Sequence, residues 1–198
     1  MKVLIVYCHP VKGSFNRAIL GAVEKGLAQA GHETQVADLY AENFQPAMTE
    51  EDFGQFDNQP MPAEILKEQA RVEWSDAIIF IFPFWWWSLP AMLKGWIDRV
   101  MSFGWAWVDP SDPDSGYLKD RKVLILTTAG ASAKALAKRG YDAAFHTQLN
   151  VGVCEYCGFK DVTTHMFHEV HQNTPQEQHE QYLGEAQELA RTFLDPQN

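Results

Sequence analysis

The chain has 198 residues, 46% of them hydrophobic and 21% charged, a composition that fits one globular domain with a sizeable core and excludes a disordered segment. A formal net charge of -10 argues against a nucleic-acid backbone binder, which needs an excess of cations to displace counterions. No apolar run has the length of a bilayer span, and MKVLIVYCHP has no small-residue cleavage site after it, so we expect a first strand there, no stable membrane insertion, and the cytoplasm as the default compartment. Val3 to Cys8 is that strand. A helix follows with Phe15, Ile19, Leu20, Val23 and Leu27 on one face, closed by Gly31. Val36, Asp38 and Leu39 end a short second strand. The connection from Tyr40 to Pro62 is long, polar and acidic, and connections of that length usually serve function. Ala63 to Trp74 has a helical pattern. Ala77 to Phe82 is an unbroken apolar run, as expected of a strand buried on both faces. After a break at Pro83, a helix starts at Leu89-Pro90, with Met92, Leu93, Trp96, Ile97, Val100 and Met101 at spacings of three and four. Lys122 to Thr127 is a fourth strand, Tyr141 to Cys157 is mostly helical, Asp161 to Phe167 is a fifth strand, and Pro175 to Phe193 is a last helix.

Strand and helix alternate five times over a single domain, residues 1-198. That pattern predicts an α/β fold: a doubly wound five-stranded parallel sheet with helices on both faces, in the flavodoxin-like order 2-1-3-4-5. Ligands of such sheets bind at the carboxyl ends of the strands, which directs attention to the loops after strands one, three and four. In the first, Ser14 can cap the following helix, while Lys12 and Gly13 sit where a cation and backbone N–H groups would meet a phosphate. This loop matches neither the dinucleotide nor the triphosphate glycine pattern. The third loop is Phe84-Trp85-Trp86-Trp87-Ser88, and six of the seven Trp residues fall between Ser75 and Trp107. Rings that large are rarely needed on one turn to fill a core, so they either cover a subunit interface or frame a flat conjugated ligand. The fourth loop, Thr127 to Ser132, is small and rich in hydroxyls, which lets a planar ring approach the backbone. Phosphate, aromatic wall and ring-edge donors together describe a flavin site.

Three cysteines give no disulfide framework. Cys154 and Cys157 have redox spacing but no second pair to complete a metal site, and we read them as small buried residues. His165, His168 and His171 are more cheaply explained as surface histidines than as ligands, so no metal is assigned.

The segments HPVKGSFN, DLYAENFQP, FPFWWWSLPAMLKGWIDRV, TTAG, CGF and NTP, spread over nearly the whole chain, resemble the NAD(P)H dehydrogenase (quinone) family of flavodoxin-like flavoproteins. The resemblance implies FAD as cofactor with FMN as the alternative, NADH or NADPH as donor, a quinone-like acceptor, and a homodimer whose interface includes Trp105, Trp107 and part of the Tyr40 to Pro62 connection. It implies that His9, Ser14, Phe15 and Asn16 hold the flavin's phosphate and ribityl chain. Pro83, Phe84, Trp85, Trp86 and Trp87 would line the ring, and Thr127, Thr128, Ala129 and Gly130 its other edge. Trp107 and Tyr156 would wall the quinone pocket, with Trp86 facing it. His171, His179 and Leu183 would lie near the adenosine end, with His179 standing where the family has Arg. After the TTAG loop the family carries a Tyr and a His that help manage charge and proton. Here Lys134 stands near the first position and Arg139 near the second, and they are the candidate catalytic residues. Tyr141 and His146 fall out of register. Two other readings remain open: a flavin-binding regulatory subunit of a membrane transport system, and a one-electron FMN carrier.

Overall fold

The computed structural model describes residues 1–57, 59–108, 111, 117–118 and 121–195. Five parallel strands, β1 (Lys2–Tyr7), β2 (Glu33–Asp38), β3 (Ala77–Pro83), β4 (Lys122–Thr128) and β5 (Lys160–Phe167), form one sheet in the order β2-β1-β3-β4-β5. This is the topology expected from the sequence. The helices are α1 (Phe15–Gln29), α2 (Ala63–Trp74), α3 (Ala91–Val100), α4 (Ala133–Arg139), α5 (Tyr141–Phe145) and α6 (Gln176–Thr192). All seven residues of β3 are buried, because side chains on both faces of this central strand meet helices. Leu4, Val6, Ile78, Phe80, Val123 and Ile125 enter one core with Ile65, Val72, Leu93 and Trp96. Their neighbours along the strands, Val3, Ile5, Ile79, Ile81, Leu124 and Leu126, enter the other with Ile19, Val23, Leu27, Ala186 and Ala190. On that second side α1 and α6 pack so closely that a Cβ on Gly26 would overlap the Gln187 carbonyl.

Three elements differ from the sequence expectation, which placed no helix where α4 stands. The Tyr40 to Pro62 connection contains a 3-10 helix, Glu50–Asp57. The stretch from Tyr141 to Cys157 is one turn of α-helix followed by a π-helix, His146–Glu155. Its buried Leu149 and Cys154 are five residues apart, so the wider helix keeps both on the core side. A bulge between Lys122 and Val123 and positive φ at Asp161 mark the start of β5, which begins at Lys160.

A buried ion pair holds the long connection to the body. Arg99 of α3 donates through Nε to both carboxylate oxygens of Asp52, at 3.1 and 3.0 Å, and through Nη1 to the Gln45 carbonyl at 2.6 Å. The Thr49 N–H donates to the same carboxylate at 2.6 Å. At Gly95 a Cβ would collide with Pro46, so the connection lies directly against the α3 backbone. Pinned in this way, it contributes Met48, Phe53 and Phe56 to the surface near Trp107.

Cys154 and Cys157 are buried and unpaired. Burial pushes both thiols up, Cys157 to about 12, so neither supplies a thiolate near neutral pH. The folded protein is expected to leave both thiols unreacted with an aromatic disulfide reagent over minutes and to react at all three cysteines on denaturation, as read by thionitrobenzoate absorbance.

Candidate active site

The chain order reverses between β1 and β3, since β1 connects outward to β2 and the chain then returns to the other side of β1. The crevice at their carboxyl ends is where a doubly wound sheet binds ligands. A cleft of about 310 Å³ lies there, lined by His9, Phe15, Asn16, Pro83, Phe84, Trp85, Thr128, Gly130, Val170, His171 and His179. It draws on the loops after β1, β3 and β4 and on the segment around the start of α6.

Ser14 caps α1, its hydroxyl accepting from the Arg17 N–H at 3.3 Å, and it lies 3.3 Å from the Tyr7 hydroxyl. His9 accepts from the Val11 N–H through Nδ1 at 3.1 Å. Burial lowers its pKa, so near neutral pH the ring is uncharged with its proton on Nε2. Asn16 is buried and donates through Nδ2 to the Thr128 hydroxyl at 2.9 Å, joining the first loop to the fourth. Its Oδ1 is buried without a partner. So are Thr127 Oγ1, in the same strand end, and His179 Nε2, whose ring stacks on Phe15 at 4.4 Å. Orphaned polar atoms of this kind cost on the order of 1–3 kcal/mol each unless a ligand or water satisfies them. With His168 Nδ1 there are four such atoms among the described residues, and two of them, on Asn16 and His179, belong to residues that line the cleft. The residues therefore fit a bound group that offers hydroxyls and polar edges next to aromatic surface.

The third loop is a tight hairpin. Trp85 and Ser88 exchange backbone hydrogen bonds of 3.2 and 3.0 Å, and the two residues between them, Trp86 and Trp87, have φ of 50° and 64°. This is the mirror-image turn that usually takes Asn-Gly, because both central residues need left-handed backbone. The closing bonds use the amides of Trp85 and Ser88 and neither of those of Trp86 and Trp87. Trp86 is 91% exposed, while Trp87 stacks on Tyr141 with ring centroids 4.2 Å apart and planes 10° from parallel.

The sequence left Tyr141 out of the site. The signal that brings it in is Gly140, with φ 71°, which closes α4 and opens α5 and so turns the chain back toward the hairpin. Gln148 also escaped notice; it accepts from the Ser88 hydroxyl at 2.7 Å and ties the hairpin to the π-helix. Lys134 and Arg139 lie exposed on α4, and neither lines the cleft. Leu183 packs against the α1–α6 core and does not line the cleft, whereas His171 does. Thr127 and Ala129 are buried at the end of β4, where the Ala129 amide donates to the Phe167 carbonyl at 2.8 Å.

Trp107 and Tyr156 come together, with ring centroids 6.0 Å apart. They line a separate groove of about 400 Å³ with Met48, Phe56, Ile97 and Met101 among others. Lys12, expected at a phosphate in the first loop, lines another neighbouring pocket and not the cleft. Among the described residues no group of His, Cys, Asp and Glu is arranged to hold a metal, and no helix is long and apolar enough to cross a membrane.

This architecture and crevice define a protein of the flavodoxin-like class, and residues 1–190 match the profile of the family described as having a flavodoxin-like fold. The chain is 35% identical to a rat ribosyldihydronicotinamide dehydrogenase [quinone] over 80% of this chain and 78% of the rat protein. It is 31% identical to an uncharacterized NAD(P)H oxidoreductase of Haemophilus influenzae over 86% and 85% of the two chains. Among solved structures, an NAD(P)H:quinone oxidoreductase from Methanothermobacter marburgensis superposes with a TM-score of 0.89 at 30% identity, covering 98% of this chain and 96% of that one. The chain belongs to the NAD(P)H dehydrogenase (quinone) family of flavodoxin-like proteins.

Proposed function

We propose that the protein is a flavin-dependent NAD(P)H:quinone oxidoreductase that binds FAD and passes two electrons from NADH or NADPH to a quinone or a similar flat acceptor. The observation that carries this reading is the cleft at the switch point, where buried Asn16 Oδ1 and His179 Nε2 lack partners beside an aromatic wall. The names of the rat, Haemophilus and Methanothermobacter proteins support it. When bound, the flavin accepts a hydride from the nicotinamide and returns two electrons to the acceptor, which leaves as the hydroquinone.

The chain's own residues position and shield. Asn16 Oδ1 would accept from a ribityl hydroxyl of the bound flavin. The start of α1, with Ser14 and Phe15, would receive phosphate, helped by the Nε2–H of neutral His9. The N–H groups of Trp86 and Trp87, which the turn leaves unused, would serve one ring edge, Pro83, Phe84 and Trp85 would form the wall, and Thr127, Thr128, Ala129 and Gly130 would follow the other edge. His171, His179 and Leu183 serve the adenosine end. Heat release followed by chromatography against standards is expected to give about one FAD per chain. Stoichiometric FMN would overturn the choice of FAD, and a reconstituted sample without flavin would overturn the whole reading.

The protein is proposed to act as a homodimer. Phe53 and Phe56 are 57% and 52% exposed beside the Trp107–Tyr156 groove, apolar surface that a second subunit would cover. Trp105, two residues before Trp107, donates through Nε1 to Glu73 at 2.8 Å. In that arrangement Trp107 and Tyr156 face an acceptor stacked on the flavin of the other subunit. Phe56→Asp is expected to shift the protein to monomer in sedimentation at micromolar concentration and to lower quinone turnover in parallel. A monodisperse, fully active wild-type monomer would refute the proposal.

Lys134 and Arg139 are proposed to favour the charge that develops as hydride moves. Both are exposed, so their field is screened. Lys134→Ala and Arg139→Ala are each expected to slow flavin reduction or reoxidation by less than about 10-fold in stopped flow, well short of the loss of about 10² to 10³ from deleting a preorganised donor. Wild-type rates in both variants would remove these residues from the mechanism.

A further inference from the structure

We infer that the pocket on the other side of His9 takes the adenosine diphosphate half of the nicotinamide dinucleotide donor. The inference rests on the reductase reading above and adds a specificity subsite to it. The pocket, about 500 Å³, lies between the carboxyl ends of β1 and β2 and is lined by His9, Lys12, Arg17, Asp38 and Tyr40 among others. Its volume suits a small organic ligand, for which pockets run from about 300 to 1,000 Å³. His9 lines both this pocket and the cleft, and its ring lies 5.8 Å from that of Trp85. The second pocket therefore adjoins the cleft at His9, and a donor stacked on the outer face of a flavin held against the aromatic wall would extend into it alongside that ring.

The charge there runs against that of the chain. Lys12 and Arg17 face one carboxylate, Asp38, in a protein of net charge -10. Asp38 is already engaged by backbone, its Oδ1 accepting from the Ala41 N–H at 3.1 Å in the turn after β2. The Arg17 Nη1 reaches Asp38 Oδ2 only at 3.5 Å, long for a charge-assisted bond, and its side chain is half exposed. The guanidinium instead rests over the Tyr7 ring, 5.8 Å from its centroid, which fixes its position and leaves most of its donors unused. Lys12 is exposed and forms no ion pair among the described residues. Half-buried Tyr40 offers an aromatic surface on the same pocket. Two under-used cations next to an aromatic side chain suit a pyrophosphate joined to a purine nucleoside. A dihydronicotinamide without that half would end at His9.

Steady-state turnover of the flavin-loaded protein with a small benzoquinone tests this, using NADH, NADPH and 1-methyl-1,4-dihydronicotinamide as donors. Arg17→Ala is expected to raise KM for the dinucleotides about 10-fold with kcat little changed, and to leave kcat/KM for the methyl donor as in wild type. Tyr40→Leu is expected to act in the same direction, and Arg17→Lys to recover part of the loss. Free ADP is expected to compete with NADPH and to leave oxidation of the methyl donor untouched. An unchanged dinucleotide KM in Arg17→Ala would overturn the subsite while leaving the reductase reading in place. If ADP instead alters turnover of the methyl donor, the pocket belongs to a free nucleotide effector and the donor assignment is wrong. If the wild type oxidises none of the three donors, the reductase reading fails and the subsite with it.

Discussion

Arg99→Ala is expected to lower the unfolding free energy by about 3–5 kcal/mol, because it leaves the Asp52 carboxylate buried without its counter-charge. Arg99 is 1% exposed and Asp52 fully buried, so water cannot replace the guanidinium without opening the Tyr40 to Pro62 connection. The Gln45 carbonyl loses its donor in the same step. Urea unfolding followed by tryptophan fluorescence measures the effect. A loss under about 1 kcal/mol would mean that the connection relaxes and that Asp52 reaches solvent.

The same pair sets a pH dependence. Burial alone would raise the Asp52 pKa, but the Thr49 N–H and the Arg99 guanidinium outweigh it and hold the carboxyl below its ordinary range. A group depressed on folding stabilises fully above its unfolded pKa of about 3.9, and that contribution is lost as pH falls through the lower folded value. The gap between wild type and Arg99→Ala is therefore expected to be widest near neutral pH and to narrow as pH falls, first as the buried Asp52 of the variant takes up a proton and then, below about pH 4, as the wild-type contribution is lost. Since the connection carries Met48, Phe53 and Phe56 to the proposed subunit interface, dimerisation should weaken over the same acid range.

What could be read from the sequence was whatever depends on local pattern. The apolar run at β3, ended by Pro83, had to be a strand covered on both faces, and the strand-helix alternation then led to the observed order. The loops after β1, β3 and β4 followed as the candidate site, and the cleft draws on all three. What stayed hidden depends on distant partners or on backbone that the residue type disfavours. Arg99 and Asp52 are 47 residues apart, and nothing in either segment marks the other. The π-helix has no periodicity that a three-and-four pattern would detect, and its one indication is the spacing of Leu149 and Cys154. Tyr141 reaches Trp87 only because Gly140 adopts left-handed backbone, which a glycine permits but does not announce. Lys12 stands in the expected loop yet faces the β2 side, since loop position alone does not fix which way a side chain leaves it.

Trp86 shows such a conflict between residue type and backbone, and Trp86→Asn is expected to make the protein more stable while weakening its site. Left-handed backbone costs an ordinary residue about 1–2 kcal/mol, and Asn tolerates it better through local hydrogen bonding. At 91% exposure the Trp side chain contributes almost no burial in return, so the substitution should raise the unfolding free energy by roughly 0.5–1 kcal/mol. Trp86→Ala separates strain from stacking, because Ala keeps the Cβ that makes this backbone costly and should leave stability near wild type. Both variants remove the indole from the site, and both are expected to weaken flavin or acceptor binding by about 10- to 100-fold, the range for losing one large stacking surface. Urea melts of the flavin-free proteins report the first effect, and fluorescence titration with FAD together with benzoquinone KM reports the second. A large exposed aromatic held in a disfavoured conformation is intelligible as surface prepared for a flat partner. If Trp86→Asn proves less stable than wild type, the turn is held by contacts of the indole and not against its preference. If both variants bind flavin and quinone normally, the exposed ring serves neither ligand.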